Sequence, residues 1–469
     1  MPAAANQALS DFHPAARAPY VPRRRIHHRM PRALTIIGLV VLGALMYLGA
    51  TMRPRPPVPP GRIRVAYWEK WTGFEADAMR RVVDAFNRRQ ERIWVDMLTV
   101  SQIDQKMSLA TAGGTPPDVC GLWSANINVY AERGALMPLD DYLRRAGITR
   151  ADYIPAYWDL CSYDGRMWGL PSTPASVALH WNKQLFRRAG LDPDRPPRTI
   201  EELDRYAERL TERTADGRVL RAGFMPAEPG WWNWSWGYYF GGRLWDGKAR
   251  ITADEAENVR AFRWVRSYSQ KYGTQPLEIF RSGFGNFSSP QNAFLSDKVA
   301  MVLQGVWMAN FIHKYAPQMG WGAAPFPVPA DRPDLANLAY VECDTLCIPA
   351  GARHPREGFE FINYVNSIAG SEMLCGAQGK HTPLARTTAQ FIRDHPNPYI
   401  KVFIEVAKRR RPFSTPQLGM WAEYSAEMTA AFDRVWLGQG GAPQVLRRVT
   451  ARMQKKLDRE LERRRVAKG

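Results

Sequence analysis

"RIRVAYWEKWTGFEADAMRRVVDAFNRRQERIWVDMLTVSQIDQKMSLATAGGTPPDVCGLW", residues 62–123, alternates between two hydrophobic periods. "RIRVAYW" reads as a strand. In the following "EADAMRRVVDAFNRRQ", Ala76, Met79, Val82, Val83 and Phe86 fall on one helical face. "RIWVDML" is a second strand, "QIDQKMSLATAGG" a second helix closed by glycines, and "DVCGLW", after "TPP", a third strand. Strand–helix–strand units of this kind connect by right-handed crossovers and predict a parallel sheet in an α/β fold. Open parallel sheets bind ligands beyond the carboxyl ends of their strands. Those ends are "YWEKWTG" and "LWSANIN".

At 469 residues the chain exceeds what one hydrophobic core can serve, so at least two lobes are expected. With 45% apolar and 23% charged residues it belongs with folded globular proteins. Upstream, residues 33–52, "ALTIIGLVVLGALMYLGATM", form an uncharged, mostly apolar run of about the length that crosses a bilayer. Arg17, Arg23, Arg24, Arg25, Arg29 and Arg32 precede it, which predicts a cytoplasmic N-terminus and an external bulk. The run ends without a convincing small-x-small cleavage site and without a lipid-accepting Cys, which favours a retained anchor over a cleaved signal. The Pro-rich "RPRPPVPPGR" then reads as a spacer from the membrane.

The formal charge of +19 invites a nucleic-acid reading, but the basic residues concentrate near the two termini and in "KRRR" at 408–411. The middle is mixed, and no nucleic-acid partner is predicted. The five cysteines are an odd number without a C-x-x-C, and they read as buried thiols acting as small hydrophobes. Downstream, Thr199 with Glu202 and Thr252 with Glu255 have capping-box spacing. Two amphipathic stripes close the chain: Trp421, Tyr424, Met428, Phe432 and Val435, then Leu446, Val449, Met453, Leu457 and Leu461.

The order of elements from about residue 62 to about 460 resembles the family 1 extracellular solute-binding proteins of ABC importers. The resemblance rests on "GGTPPDV", "AERGALMPLDDYL", "YDGRMWGLPSTPASVALHWNKQLFRRAGLDPDRPPRTIEEL", "AFLSDKVAMVLQGVWMANF", "WGAAPFPVP", "HPREGFEFINYVNSIAGSEML" and "GKHTPL", which follow one another in the family's order. It implies a two-lobe periplasmic-binding-protein fold of type II whose inter-lobe cleft closes on ligand, here preceded by a transmembrane helix. The implied organisation is a basic cytoplasmic segment at 1–32, an anchor at 33–52 and a linker at 53–61. The first lobe would hold 62–170 and 299–338, and the second 171–298 and 339–469. Crossings are expected near 170–174, near Asp297 and near 340–345. The sequence "ECD" departs from the small residues usual before "LCIPAG" and puts Glu342 and Asp344 close to a crossing.

The resemblance further implies a carbohydrate ligand, permease subunits of an ABC importer as partners, and an inner-membrane location with the bulk periplasmic or extracellular. A pyranose has an apolar C–H face and a hydroxyl rim, which flat rings beside short polar groups would match. Carried over by position, the ligand contacts fall on Glu69, Lys70, Trp71, Trp123, Asn126, Glu228, Trp231, Trp232, Trp307 and Trp421. The rest of "EPGWWNWSWGYYFGG", including Trp234, Trp236, Tyr238 and Tyr239, reads as core packing. Lys70 is the expected anchor should the ligand be acidic.

No enzyme motif survives inspection, and no cofactor or metal is expected. "GAQGKHT" has two residues rather than four between its glycines and cannot form a Walker cradle. "GFGNFS" lacks a third glycine, and no His-Glu-x-x-His or Cys/His cluster offers a zinc site. Two other readings remain open: a sensor or assembly protein on the same fold, and a membrane-tethered glycoside hydrolase using Glu69, Glu228 and Glu342.

Overall fold

The computed structural model describes residues 58–409 and 412–468. The forecast cytoplasmic segment 1–32, the anchor 33–52 and residues 53–57 of the linker lie outside them. Among the described residues no helix is long and apolar enough to cross a membrane.

The opening stretch folds as its periodicity predicts: β1 (Ile63–Glu69), α1 (Gly73–Arg89), β2 (Ile93–Thr99), α2 (Ile103–Ala112) and β3 (Val119–Trp123). β1 pairs in parallel with both β2 and β3. The apolar face of α1 is buried at Ala76, Met79, Val82, Val83 and Phe86. Its register on the sheet is fixed by Asn87, whose amide donates to the Val95 carbonyl at 3.0 Å and accepts from the Val95 N–H at 2.8 Å. Asp118 accepts from the N–H groups of Ala66 and His354 and so holds β1 to a later helix start.

Six further strands complete one sheet: β4 (Leu170–Asn182), β5 (Glu212–Arg213), β6 (Val219–Phe224), β7 (Val299–Gly305), β8 (Trp321–Ala324) and β9 (Val341–Cys347). Their order is β2-β1-β3-β9-β4-β7-β6-β5, with β8 also paired to β4. β4 is buried along its whole length and changes partner midway. Residues up to Ser176 pair antiparallel with β9, and residues from Val177 pair antiparallel with β7. One strand thus belongs to two cores. Val65, Met79 and Val82 pack with Phe361 and Ile362 in the first; Leu179, Phe262, Met301 and Phe432 belong to the second.

The helices that matter to the site are α3 (Ala256–Tyr272), α4 (Met308–Tyr315), α5 (Pro355–Val365), α6 (Ile368–Ala377), α7 (Trp421–Trp436) and α8 (Ala442–Lys468). Packing corrects part of the forecast organisation. β7 and α4, expected in the first lobe, bury Met301, Leu303, Phe311 and Ile312 in the second core. α5 and α6, expected in the second, bury Phe359, Phe361 and Leu374 in the first. The reason is β4: its distal half leaves an edge that β7 fills, while β9 returns the chain to β3. Asp297 is therefore no crossing; it accepts from the Asn182 amide at 2.7 Å inside the second half.

Of the two capping boxes, Thr199 does accept from the Glu202 N–H, at 3.2 Å. Thr252 does not cap a helix; its hydroxyl donates to the Arg243 carbonyl, and α3 starts only at Ala256. Both C-terminal stripes are buried as expected, Leu461 only partly. Among the basic side chains of α8, Arg452 pairs with Glu427 at 2.8 Å, Lys456 with Glu423, and Arg464 with Glu132 and Glu460. All five cysteines are free and buried.

Candidate functional site

Glu69 closes β1, Lys70 and Trp71 follow it, and β9 packs beside them at the base of a cavity. Because side chains alternate along a strand, Tyr340, Glu342 and Asp344 share one face while Cys343 points into the first core. The Asp344 carboxylate is the hub. Lys70 Nζ lies 2.9 Å from Oδ1, Trp71 Nε1 donates to Oδ2 at 2.8 Å, and the Thr173 hydroxyl donates to Oδ2. Lys380 Nζ stands 3.8 Å from Oδ2 and 2.9 Å from Glu75 Oε1. Burial opposes ionisation of Asp344, but the two lysines and the hydroxyl outweigh it and hold its pKa below the usual value. Burial likewise opposes charge on Lys70, yet Asp344 and Glu69 outweigh it and raise its pKa. A buried charge persists only when so paired.

Above this base opens a cavity of about 810 Å³. Trp71, Glu75 and Trp123 face it from the first half, and Ala175, Tyr340, Glu342 and Asp344 from the strands that join the halves. The opposite wall comes from the second half: Trp231, Trp232, Trp234, Trp307 and Trp421, with Phe287 and Phe311. The rings are set at angles to one another. Trp71 and Trp123 meet edge to face at 5.8 Å, as do Trp231 and Phe287 at 4.5 Å, while Trp232 and Trp307 are tilted at 6.1 Å. Such packing exposes ring faces rather than sealing them against each other. The Trp307 ring folds over Gly305, where a Cβ would come within 2.3 Å of it. A polar fringe of Ser425, Thr429 and Asp433 on α7 borders the indoles.

The structure separates the ten forecast contacts. Trp71, Trp123, Trp231, Trp232, Trp307 and Trp421 all line the cavity. Glu69, Lys70, Asn126 and Glu228 do not. Glu69 is buried below, accepting from the Tyr67 hydroxyl and, at 3.0 Å, from the Trp71 N–H, so it sets the turn that aims Trp71. Lys70 is buried against Trp71 and Trp123, its Nζ 5.2 and 5.3 Å from the ring centres, and is paired with Asp344. Asn126 donates to Asp104 at 3.2 Å. Burial pushes the Glu228 carboxyl up to about 7, with Arg281 opposing. Glu69, Glu228 and Glu342 are thus not brought together around the cavity.

Sequence reasoning missed several wall residues. Trp234, read as core, is both buried and on the wall, edge to face with Trp421 at 4.9 Å. Trp236 and Tyr239 are core as expected. Phe287 sits in the discounted "GFGNFS", and Lys380 in the discounted "GAQGKHT", where Gly379 at φ +63° ends the turn after α6. The available signal for Glu342 and Asp344 was two acids at strand spacing beside a crossing. Nothing local marks Glu75 or Phe311; each arrives from a helix whose placement depends on the whole fold.

Two α/β halves on a shared sheet, with an aromatic cleft at the strands joining them, define a two-lobe periplasmic-binding-protein fold. A family described as bacterial extracellular solute-binding protein matches residues 75–372, and the chain belongs to that family. A binding protein of Brucella abortus is 21% identical over 352 residues, 74% of this chain and 81% of that one. Among solved structures, CpMnBP1 with mannobiose bound superposes with a TM-score of 0.73 at 26% identity, covering 83% of this chain and 99% of that chain. UgpB from Mycobacterium tuberculosis in complex with glycerophosphocholine gives 0.71 at 20% identity, covering 86% and 100%.

Proposed function

We propose that the chain captures an oligosaccharide outside the cytoplasm and delivers it to an ABC importer, closing its lobes on the ligand without chemical turnover. The observation that carries this reading is the 810 Å³ cleft with indoles supplied from both halves. Rings from two sides can cover both apolar faces of a sugar, and carboxylates between them can accept its hydroxyls. The mannobiose of CpMnBP1 supports a saccharide of at least two rings. The closing halves would be 62–175 with 342–384, and 177–340 with 413–468, in line with the two main cores, while Ile400 and Phe403 pack on Ala178, Val306 and Ala323 of the second. The hinge would run through Ser176–Val177, where β4 changes partner. Residues 33–52 would hold the chain at the inner membrane, with the Pro-rich segment as spacer.

A thermal-shift screen of residues 59–469, which form one compact unit, tests this against neutral, amino and acidic saccharides. A ligand bound only by the folded state raises apparent stability, by about 2.7 kcal/mol at a hundredfold excess over Kd. A rise with at least one saccharide and no new reducing ends on incubation is the expected result. New reducing ends would establish hydrolysis instead. Silence toward every saccharide, with retention on heparin at moderate salt, would point to a docking role.

A further inference from the structure

The charges around the cleft are not balanced by what surrounds them. Two ammonium groups, Lys70 and Lys380, face three carboxylates, Glu75, Asp344 and Glu342, while Asp433 at the border is within electrostatic reach of Arg281. Lys380 and Glu75 engage each other, and Asp344 is occupied by Lys70, Trp71 and Thr173. Glu342 receives one side-chain hydrogen bond, from the Tyr340 hydroxyl at 2.6 Å, and otherwise faces the cavity. Among the described residues Lys380 is the one cation on the wall, and it is already paired.

We propose that the preferred ligand carries a protonated amine seated against Glu342 beneath the indole and phenol rings, an amino-sugar oligosaccharide rather than a neutral or anionic one. The proposal rests on the saccharide-binding reading. Tyr340, which holds Glu342, lies 5.9 Å from Trp232 and 5.4 Å from Trp234, so the carboxylate stands at the edge of the aromatic wall. Ring faces attract ammonium groups, and a carboxylate partner adds a charge-assisted hydrogen bond. An anionic sugar would meet excess negative charge and no unengaged cation. A neutral sugar would offer Glu342 only a hydroxyl.

The charged and titratable neighbours of Glu342 are Tyr340 and Asp344 on its own strand, Lys70 after β1 and Lys380 after α6. Burial raises its pKa; Asp344 adds to the rise, while the Tyr340 hydrogen bond and the two lysines act against it. A bound cation favours the ionised carboxylate, so binding expels a proton from any Glu342 still protonated, and affinity for the amine falls as pH is lowered through its titration.

The test is calorimetric titration of the full chain at pH 6.5 and low salt. The probes are a glucosamine oligosaccharide series, its N-acetylated counterpart, and matched neutral and uronic oligosaccharides. The amine series is expected to bind at least tenfold more tightly than the N-acetylated and neutral series, with the uronic series weakest. Glu342→Gln should erase the preference of the amine series over the N-acetylated and neutral series. Neutral saccharides binding as tightly as the amines, or a preference that survives Glu342→Gln, would overturn the proposal and leave the saccharide reading standing. Absence of binding by all four series would overturn both.

Discussion

The base of the cleft and its far wall are made of opposite materials. At the base, Lys70, Trp71 and Thr173 converge on Asp344, and Lys380 is tied to Glu75. On the far wall Trp231, Trp232, Trp307 and Trp421 present apolar surface with few polar ties. The contrast teaches a division of labour: the paired charges hold the first half and the joining strands in one geometry, and the rings are left to meet a ligand. Charged residues near a cleft are thus not automatically its contacts. Lys70 is a structural cation, although it directly precedes a wall residue.

The largest effect that could break this contrast belongs to the base. Asp344→Ala leaves Lys70 buried without its partner and is expected to cost about 3–5 kcal/mol of stability, read by urea unfolding of residues 59–469. A loss under about 1 kcal/mol would show that the network is dispensable. Next comes the wall: Trp231 is 40% exposed, so Trp231→Ala should barely alter stability yet weaken saccharide binding about 10–30-fold, or about 1.4–2 kcal/mol. Equal losses in stability and affinity would erase the distinction between the two regions.

A smaller effect sits at the start of the aromatic stretch. The folded pKa of Glu228, about 7, lies above its ordinary 4.5, so the folded state binds more protons across that window and its stability falls as pH rises through it. Glu228→Gln should remove this slope and gain about 1 kcal/mol at pH 8, measured by urea unfolding at several pH values. An unchanged slope would contradict the burial of that carboxyl. The smallest effect is expected outside both regions. Arg464, 40% exposed in its side chain, pairs with Glu132 and Glu460, and Arg464→Ala should shift stability by less than about 1 kcal/mol, with saccharide affinity unchanged.

Much of the fold was legible because β1, α1, β2 and β3 carry their period locally, and so do the stripes of α7 and α8. The lobe assignment of β7, α4, α5 and α6 was not, since it depends on where along β4 each neighbouring strand pairs, and no local pattern encodes that register. The same limit governs the site. Six indoles could be named because their type matches sugar faces and their positions follow the family order. Tyr340, Glu342 and Asp344 become wall residues only through the face that β9 turns toward the cleft, and Trp234 shows that one ring can be core and wall together. Thr252 failed as a cap because a distant carbonyl, that of Arg243, claimed its hydroxyl.

The central claim is that saccharide rings lie on the second-lobe indoles while the Asp344 network stays intact. A crystal structure of residues 59–469 with the tightest-binding saccharide measures this directly. The expected result is a pyranose face within about 4 Å of Trp231, Trp232 or Trp307, a typical van der Waals contact, with Lys70 still paired to Asp344. A saccharide seated away from these rings, or one that displaces Lys70 from Asp344, would contradict the account.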